Sequence, residues 1–136
     1  MKWYFASRVR HQQKIVDVAN FLDGIGEKVV SNWIKGRSLK PYDQNLKEVQ
    51  LLAEEVVRSI MDSDIFVLIS DPEGTDMFVE LGICLNREEA RIYIVGKHSR
   101  RSLMQLHPRI KHVDTLKEVF DLENIDSEDF NVPLFD

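Results

Sequence analysis

The run "DIFVLIS" at positions 64–70 constrains this chain more than any other stretch. Ile65, Phe66, Val67, Leu68 and Ile69 are all apolar, so the segment cannot alternate between a wet and a dry side. Such a run suits a strand covered on both faces, as in the middle of a parallel sheet. A sheet of that kind needs helices between its strands, and the flanking sequence supplies them. In "QQKIVDVANFLD" (12–23), Ile15, Val18, Ala19 and Phe21 or Leu22 fall at helical spacing, and Gly24 and Gly26 follow as a stop. A long helix is expected over about 42–62, with Leu46, Val49, Leu52, Ala53, Val56, Val57 and Ile60 along one side. Further helices are expected over 76–87 and 115–122, the last followed by an acidic tail.

The remaining apolar runs read as strands: "WYFA" (3–6), "KVVS" (28–31), "RIYIVG" (91–96) and "RIKHV" (109–113). Between them "WIKGRSLKPYDQ" (33–44) reads as a loop broken by Gly36 and Pro41. Strands alternating with helices predict an α/β three-layer sandwich with a five-stranded, mainly parallel sheet. At this length the flavodoxin-like, Rossmann-like order 2-1-3-4-5 is favoured, and residues 1–136 read as one domain.

Composition narrows the function. The chain is 43% apolar and 30% charged, which fits a soluble globular protein. Its net charge of −5 gives no electrostatic footprint for nucleic acid. No apolar stretch approaches the roughly 20 residues that cross a bilayer, so no membrane partner is expected. The start, "MKWYFASRVR", turns polar and basic too early for a signal peptide. Cys84 is the single cysteine, which excludes an internal disulfide and makes the cytoplasm the expected location. His11, His98, His107 and His112 form no zinc-type pair, and no metal site is expected.

One residue stands against this pattern. In "DPEGTDMFVELG" (71–82) the carboxylate of Glu80 interrupts the apolar run Met77, Phe78, Val79, Leu81 and Ile83. A carboxylate on a core-bound face is costly unless it opens on a cleft or is paired. In open α/β sheets ligands bind beyond the carboxyl ends of the strands, near the point where strand order reverses. That edge would gather Ser7 to Arg10 after the first strand and Asp71 to Asp76 after the third, with Glu80 one turn into the next helix. On spacing alone Glu80 is either a cleft carboxylate or an ion-pair partner of Arg8, Arg10 or a lysine.

Together, "WYFASR", "SDIFVLIS" and "GTDMFVELG" resemble the nucleoside 2-deoxyribosyltransferases and the related 2'-deoxynucleoside 5'-monophosphate N-hydrolases, over roughly residues 2–105. The resemblance implies that Glu80 is a nucleophile that attacks the anomeric carbon and expels the base. This is the logic of a retaining glycosidase, and it needs no cofactor. The family's tyrosine on the first strand matches Tyr4, whose hydroxyl would orient Glu80; by position alone Tyr4 is equally a core aromatic beside Trp3 and Phe5. The family's phosphate-binding serine matches Ser7 within one residue, and Arg8 and Arg10 add positive charge near a helix N-terminus. Asp71 and Gly74 belong to the same expected substrate-binding edge. A serine reaching the phosphate from a neighbouring subunit corresponds to Ser99 or Ser102 in "KHSRRSLM", which implies a homodimer or larger.

Two positions depart from the family. Its aspartate on the long helix, eight residues before the one opening strand 3, is Val56 here; Glu54 and Glu55 are adjacent, but one position on a helix is about 100° of rotation. The transferases' aspartate six residues before the nucleophile is Gly74 here. Asp76, one turn before Glu80, is the nearest replacement for proton transfer, and it also reads as a helix N-cap.

The resulting expectation is N-glycosidic cleavage of a nucleoside or its 5'-monophosphate, by hydrolysis or base exchange. The alternative is a nucleotide sensor on the same fold without turnover, to which the missing aspartate points. An NAD-cleaving domain of the TIR type is a third reading, on fold analogy alone. A flavoprotein fits poorly, because "ASRVRHQQ" lacks the hydroxyl-rich run that cradles a flavin phosphate.

Overall fold

In the computed structural model, which describes residues 1–135, the 64–70 run forms the centre of the molecule. β3 (Ile65–Ile69) lies between β1 (Lys2–Ala6) and β4 (Arg91–Val95), and all five of its residues are buried. β2 (Lys28–Val29) and β5 (Ile110–Val113) complete an all-parallel sheet in the order β2-β1-β3-β4-β5. This is the predicted flavodoxin-like α/β fold. The order reverses between β1 and β3, so their carboxyl ends diverge into loops that leave space at that edge.

The two faces of the sheet carry separate cores. Trp3, Phe5, Ile65, Val67 and Ile69 face α1 (Gln12–Gly24) and α4 (Leu116–Leu122), packing with Ile15, Leu22 and Phe120. Tyr4, Ala6, Phe66 and Leu68 face the other side, against Met77, Leu81 and Cys84 of α3 (Asp76–Leu85). The period of two along β1 therefore sends Tyr4, and not its aromatic neighbours, toward the helix that carries Glu80.

α2 (Leu46–Asp62) is the least buried helix for its apolar content: only Ile60 is buried. At about 100° per residue, Val49, Leu52, Val56 and Ile60 share one face. Leu46, Ala53, Val57 and Met61 form an adjoining stripe, and Leu46, Val57 and Met61 are exposed. The apolar arc of α2 is wider than the surface that this chain covers.

Three expected boundaries shift. The long helix starts at Leu46 because Tyr42–Gln44 forms a separate 3₁₀ turn after Pro41. Residues 33–44 are not featureless loop, since Asn32–Lys35 is also a 3₁₀ turn. β2 shortens to two residues: Val30 still donates to the Trp3 carbonyl at 2.8 Å, but the Phe5 amide is taken by the Ser31 hydroxyl at 3.1 Å. The acidic tail returns to the core: Phe130 stacks on Phe21 at 4.3 Å and Phe135 meets His11 edge-on at 5.3 Å. Its aromatic residues, not its charge, decide its path.

Candidate active site

The turn "DPEGT" ends β3 and launches α3. Gly74 has φ +126°, and a Cβ there would lie 2.5 Å from Met77 Cε. The Met77 tip can move aside, but the backbone conformation is one that side chains rarely adopt, so it disfavours an aspartate where the transferases carry one. The cap position of α3 is Thr75, so Asp76 is the first residue inside the helix and not its N-cap. There it faces the positive end of the helix dipole. Glu80 follows one turn later.

The Tyr4 hydroxyl donates a hydrogen bond to Glu80 Oε1. Tyr4 itself is fully buried and stacks on Phe66, so the donor is fixed by the sheet. Burial drives the Glu80 carboxyl up to about 7; the Tyr4 hydrogen bond opposes this, and the Asp76 charge adds to it. Burial, then the charge and hydrogen bond of Glu80, push the Tyr4 phenol far above its ordinary value. Tyr4 therefore stays a donor at all ordinary pH. Among the described residues no ion pair includes Glu80, so it is not the structural partner of Arg8, Arg10 or a lysine.

Glu80, Asp76 and Ser7 open on one cavity of about 430 Å³. Val49, Leu52, Ala53, Val56 and Val57 of α2 form its apolar wall; Arg37, Ser38 and Lys40 reach it from the segment between the 3₁₀ turns, and Tyr42 from the start of the second turn. Trp33 lines it too, held by a 2.8 Å hydrogen bond from its indole to the Phe5 carbonyl. Its size suits a drug-sized ligand or nucleoside. A second cavity of similar volume, about 440 Å³, lies at the opposite edge of the sheet. There Glu123 is already tied to Arg91 at 2.7 Å and to the Tyr93 hydroxyl at 2.5 Å. Apart from Lys111 the charged groups of that wall are paired with one another, and its carboxylates are spent, so the Glu80 cavity is the candidate site.

The other expected residues are elsewhere. Arg8 and Arg10 do not line the cavity but converge on Asp71. Arg10 Nε lies 2.7 Å from its carboxylate, and Arg8 lies 3.8 Å from it and 2.6 Å from Glu73. Burial alone would raise Asp71, but the Glu73 amide and the two guanidiniums outweigh it and hold the carboxyl below its ordinary range. This cluster ties the β1 and β3 loops together, with its two arginines neutralised by two carboxylates. The Ser7 hydroxyl donates to the Arg8 carbonyl at 2.6 Å. Ser99 is buried in the turn after β4 and Ser102 is exposed; neither lines the cavity of its own chain.

The position of the family's helix aspartate is occupied as the sequence indicated: Val56 lines the cavity. Glu55 does not replace it, since its carboxylate accepts from Asn32 Nδ2 at 2.5 Å. Glu54 is solvent-exposed beside Arg58. Trp33, Gln12, Arg37, Lys40 and Tyr42 are the lining residues that the sequence did not single out. The one available signal was the density of cations and hydroxyls in "GRSLKPY" beside an aromatic.

No family model matches the chain, and no curated protein matches it. Among solved structures it is similar to the Clostridium botulinum CMP N-glycosidase BcmB. The TM-score is 0.60 with 14% identity, over 93% of this chain and 99% of that one. Nearly the full length of both chains shares one layout, a Rossmann-like α/β sandwich.

Proposed function

We propose that the protein cleaves the N-glycosidic bond of a nucleoside or nucleoside 5'-monophosphate, with Glu80 as nucleophile. The observation that carries this reading is the half-buried Glu80, held by the buried Tyr4 hydroxyl and opening on a nucleoside-sized cavity. The likeness in fold to a CMP N-glycosidase supports it.

The steps follow from the geometry. Tyr4 holds Oε1 and leaves Oε2 to form a bond to C1' as the C1'–N bond breaks. The bonding pair departs with the base, and burial keeps the Glu80 charge undiluted by water. Water, or a second base in an exchange reaction, then attacks C1' and releases the carboxylate. Asp76 is the nearest group to accept the proton of that water. The apolar α2 wall and Trp33 suit the base, which places the sugar over Glu80 and its 5' side toward Ser7. A second copy of the chain, covering the exposed stripe of α2 and bringing Ser99 or Ser102 to the site, belongs to the same proposal.

Val56 favours one rival, a sensor that binds a nucleotide without turnover. Incubation with a panel of nucleosides and 5'-monophosphates, followed by chromatography for free base, separates the two. Base release supports the enzyme; saturable binding with no release in any member of the panel supports the sensor.

A further inference from the structure

The site lacks a carboxylic acid on its base side. Val56 and its α2 neighbours are apolar, Glu55 is held by Asn32, and position 74 is a glycine with no side chain to offer. Asp76 sits beside Glu80, at the sugar. The charge that develops on a departing base must nevertheless be met.

The polar groups lining the upper part of the cavity are not equally free to meet it. Gln12 Nε2 is shared among three carbonyls, at 2.8 Å to Ile34, 3.0 Å to Gly36 and 3.4 Å to Trp33. Arg37 is paired with Glu48 at 2.9 Å. Lys40 has no carboxylate partner among the described residues; its ammonium lies only over the Tyr42 ring, 5.9 Å from the centroid. A contact of this length between two exposed side chains restrains the lysine only weakly, and it leaves the three N–H donors unspent.

We propose that Lys40 is the leaving-group residue of this site, and that it selects bases that depart as carbonyl-bearing anions. This rests on the glycosidase reading above. As Glu80 bonds to C1', the C1'–N pair passes into the base and onto the carbonyl oxygen next to the departing nitrogen. The Lys40 ammonium donates to that oxygen and balances its charge without giving up a proton. Water then supplies its hydroxyl to C1' and, through the site, its proton to the base, so the products are the free sugar and the neutral base. A pyrimidine such as uracil has the required carbonyl beside its glycosidic nitrogen. A purine has a ring nitrogen at the corresponding position and leaves most readily when protonated, which an ammonium does not favour.

The test compares two leaving groups in the wild-type protein, Lys40→Met and Lys40→Arg. One substrate is 2'-deoxyuridine 5'-monophosphate; the other is 4-nitrophenyl 2-deoxyribofuranoside 5-phosphate, whose nitrophenolate is a stable anion that needs little help. Lys40 is exposed, and melting curves should show all three proteins folded alike. The expected result is a fall in kcat of about 10–10²-fold for uracil release in Lys40→Met, below the range for a buried preorganised donor because Lys40 is exposed. The nitrophenyl substrate should fall less than about threefold, and Lys40→Arg should restore most of the uracil rate. Equal losses for both leaving groups, or uracil release within about threefold of wild type, would overturn the assignment while leaving the glycosidase reading intact. A change confined to KM would overturn it as well, and would make Lys40 a ground-state binding residue only. A wild-type protein that releases neither group would overturn the Lys40 assignment, whereas the glycosidase reading falls only if no member of the nucleoside and nucleotide panel releases base.

Discussion

Tyr4 and Glu80 stand 76 positions apart in the chain and share a hydrogen bond at the carboxyl edge of the sheet. The sheet fixes one partner and the first turns of α3 fix the other. Burial delays ionisation of the carboxylate and the Tyr4 hydrogen bond opposes that delay, which gives a pH dependence with a definite sign.

A nucleophilic carboxylate works only when ionised, so kcat/KM should rise with pH through about 7, the value to which burial drives Glu80. The Tyr4 hydrogen bond lowers that value, so Tyr4→Phe should move the acidic limb to higher pH and cost more activity at pH 6 than at pH 8.5. The Asp76 charge raises it, so Asp76→Asn should move the limb the other way, alongside a loss on the order of 10²–10⁴-fold if Asp76 transfers a proton. A pH–rate profile of the three proteins checks both signs. Shifts in the same direction would contradict the assignment.

Glu80 also makes a prediction for stability. Its carboxyl binds a proton more tightly folded, at about 7, than at its ordinary 4.5. Between those values the native state holds more protons than the unfolded one, so stability falls as pH rises through the interval. Glu80→Gln removes this term. Its melting temperature relative to wild type should therefore increase from pH 4.5 to 7.5 and then level off. A structural ion-pair residue would show the opposite trend.

The sequence made the sheet legible because β3 is apolar throughout and β1 and β4 nearly so; their periodicity needs no tertiary knowledge. Glu80 was legible for the same reason, as a charge in the wrong place. The arginines were misleading. Arg8 and Arg10 read as a phosphate site, but Asp71 and Glu73, over sixty positions away, take both guanidiniums, and no local spacing reveals such a pairing. The 33–44 segment failed likewise. Trp33 and Lys40 gain meaning only when the chain folds over α2, and isolated 3₁₀ turns leave no periodic trace.

The Asp71 cluster gives a stability prediction with no catalytic content. Arg10→Met removes a 2.7 Å charged hydrogen bond from a buried carboxylate, which should cost about 1.5–3 kcal/mol. Asp71 is held below its ordinary pKa, so its contribution is present near neutrality and lost as pH falls through the folded value. Loss of Arg10 raises that value, and acid unfolding should begin at higher pH. Denaturant melts at pH 7 and pH 4 test both statements. Unchanged acid sensitivity would show that the pair is only a surface contact.

The exposed stripe Leu46, Val57 and Met61 on α2, with Val79 on α3, predicts self-association. Light scattering at micromolar concentration should give at least a dimer, and the double variant Val57→Glu, Met61→Glu should give a monomer with an intact fold. A wild-type monomer would remove the proposed second copy, and with it any role of Ser99 or Ser102 at a shared site.

A covalent bond between Glu80 and the sugar is the step that defines the proposed chemistry, and mass spectrometry of the protein and its peptides measures it directly. A 2-fluoro nucleotide analogue slows departure of the sugar from the carboxylate, because fluorine disfavours the cationic transition state. Wild-type protein mixed with such an analogue should release one equivalent of base and gain the mass of the sugar phosphate on the peptide containing Glu80. Glu80→Gln should remain folded, show no adduct and lose at least about 10³-fold in base release from ordinary substrates. Base release that persists in Glu80→Gln, or an adduct on another residue, would contradict the account.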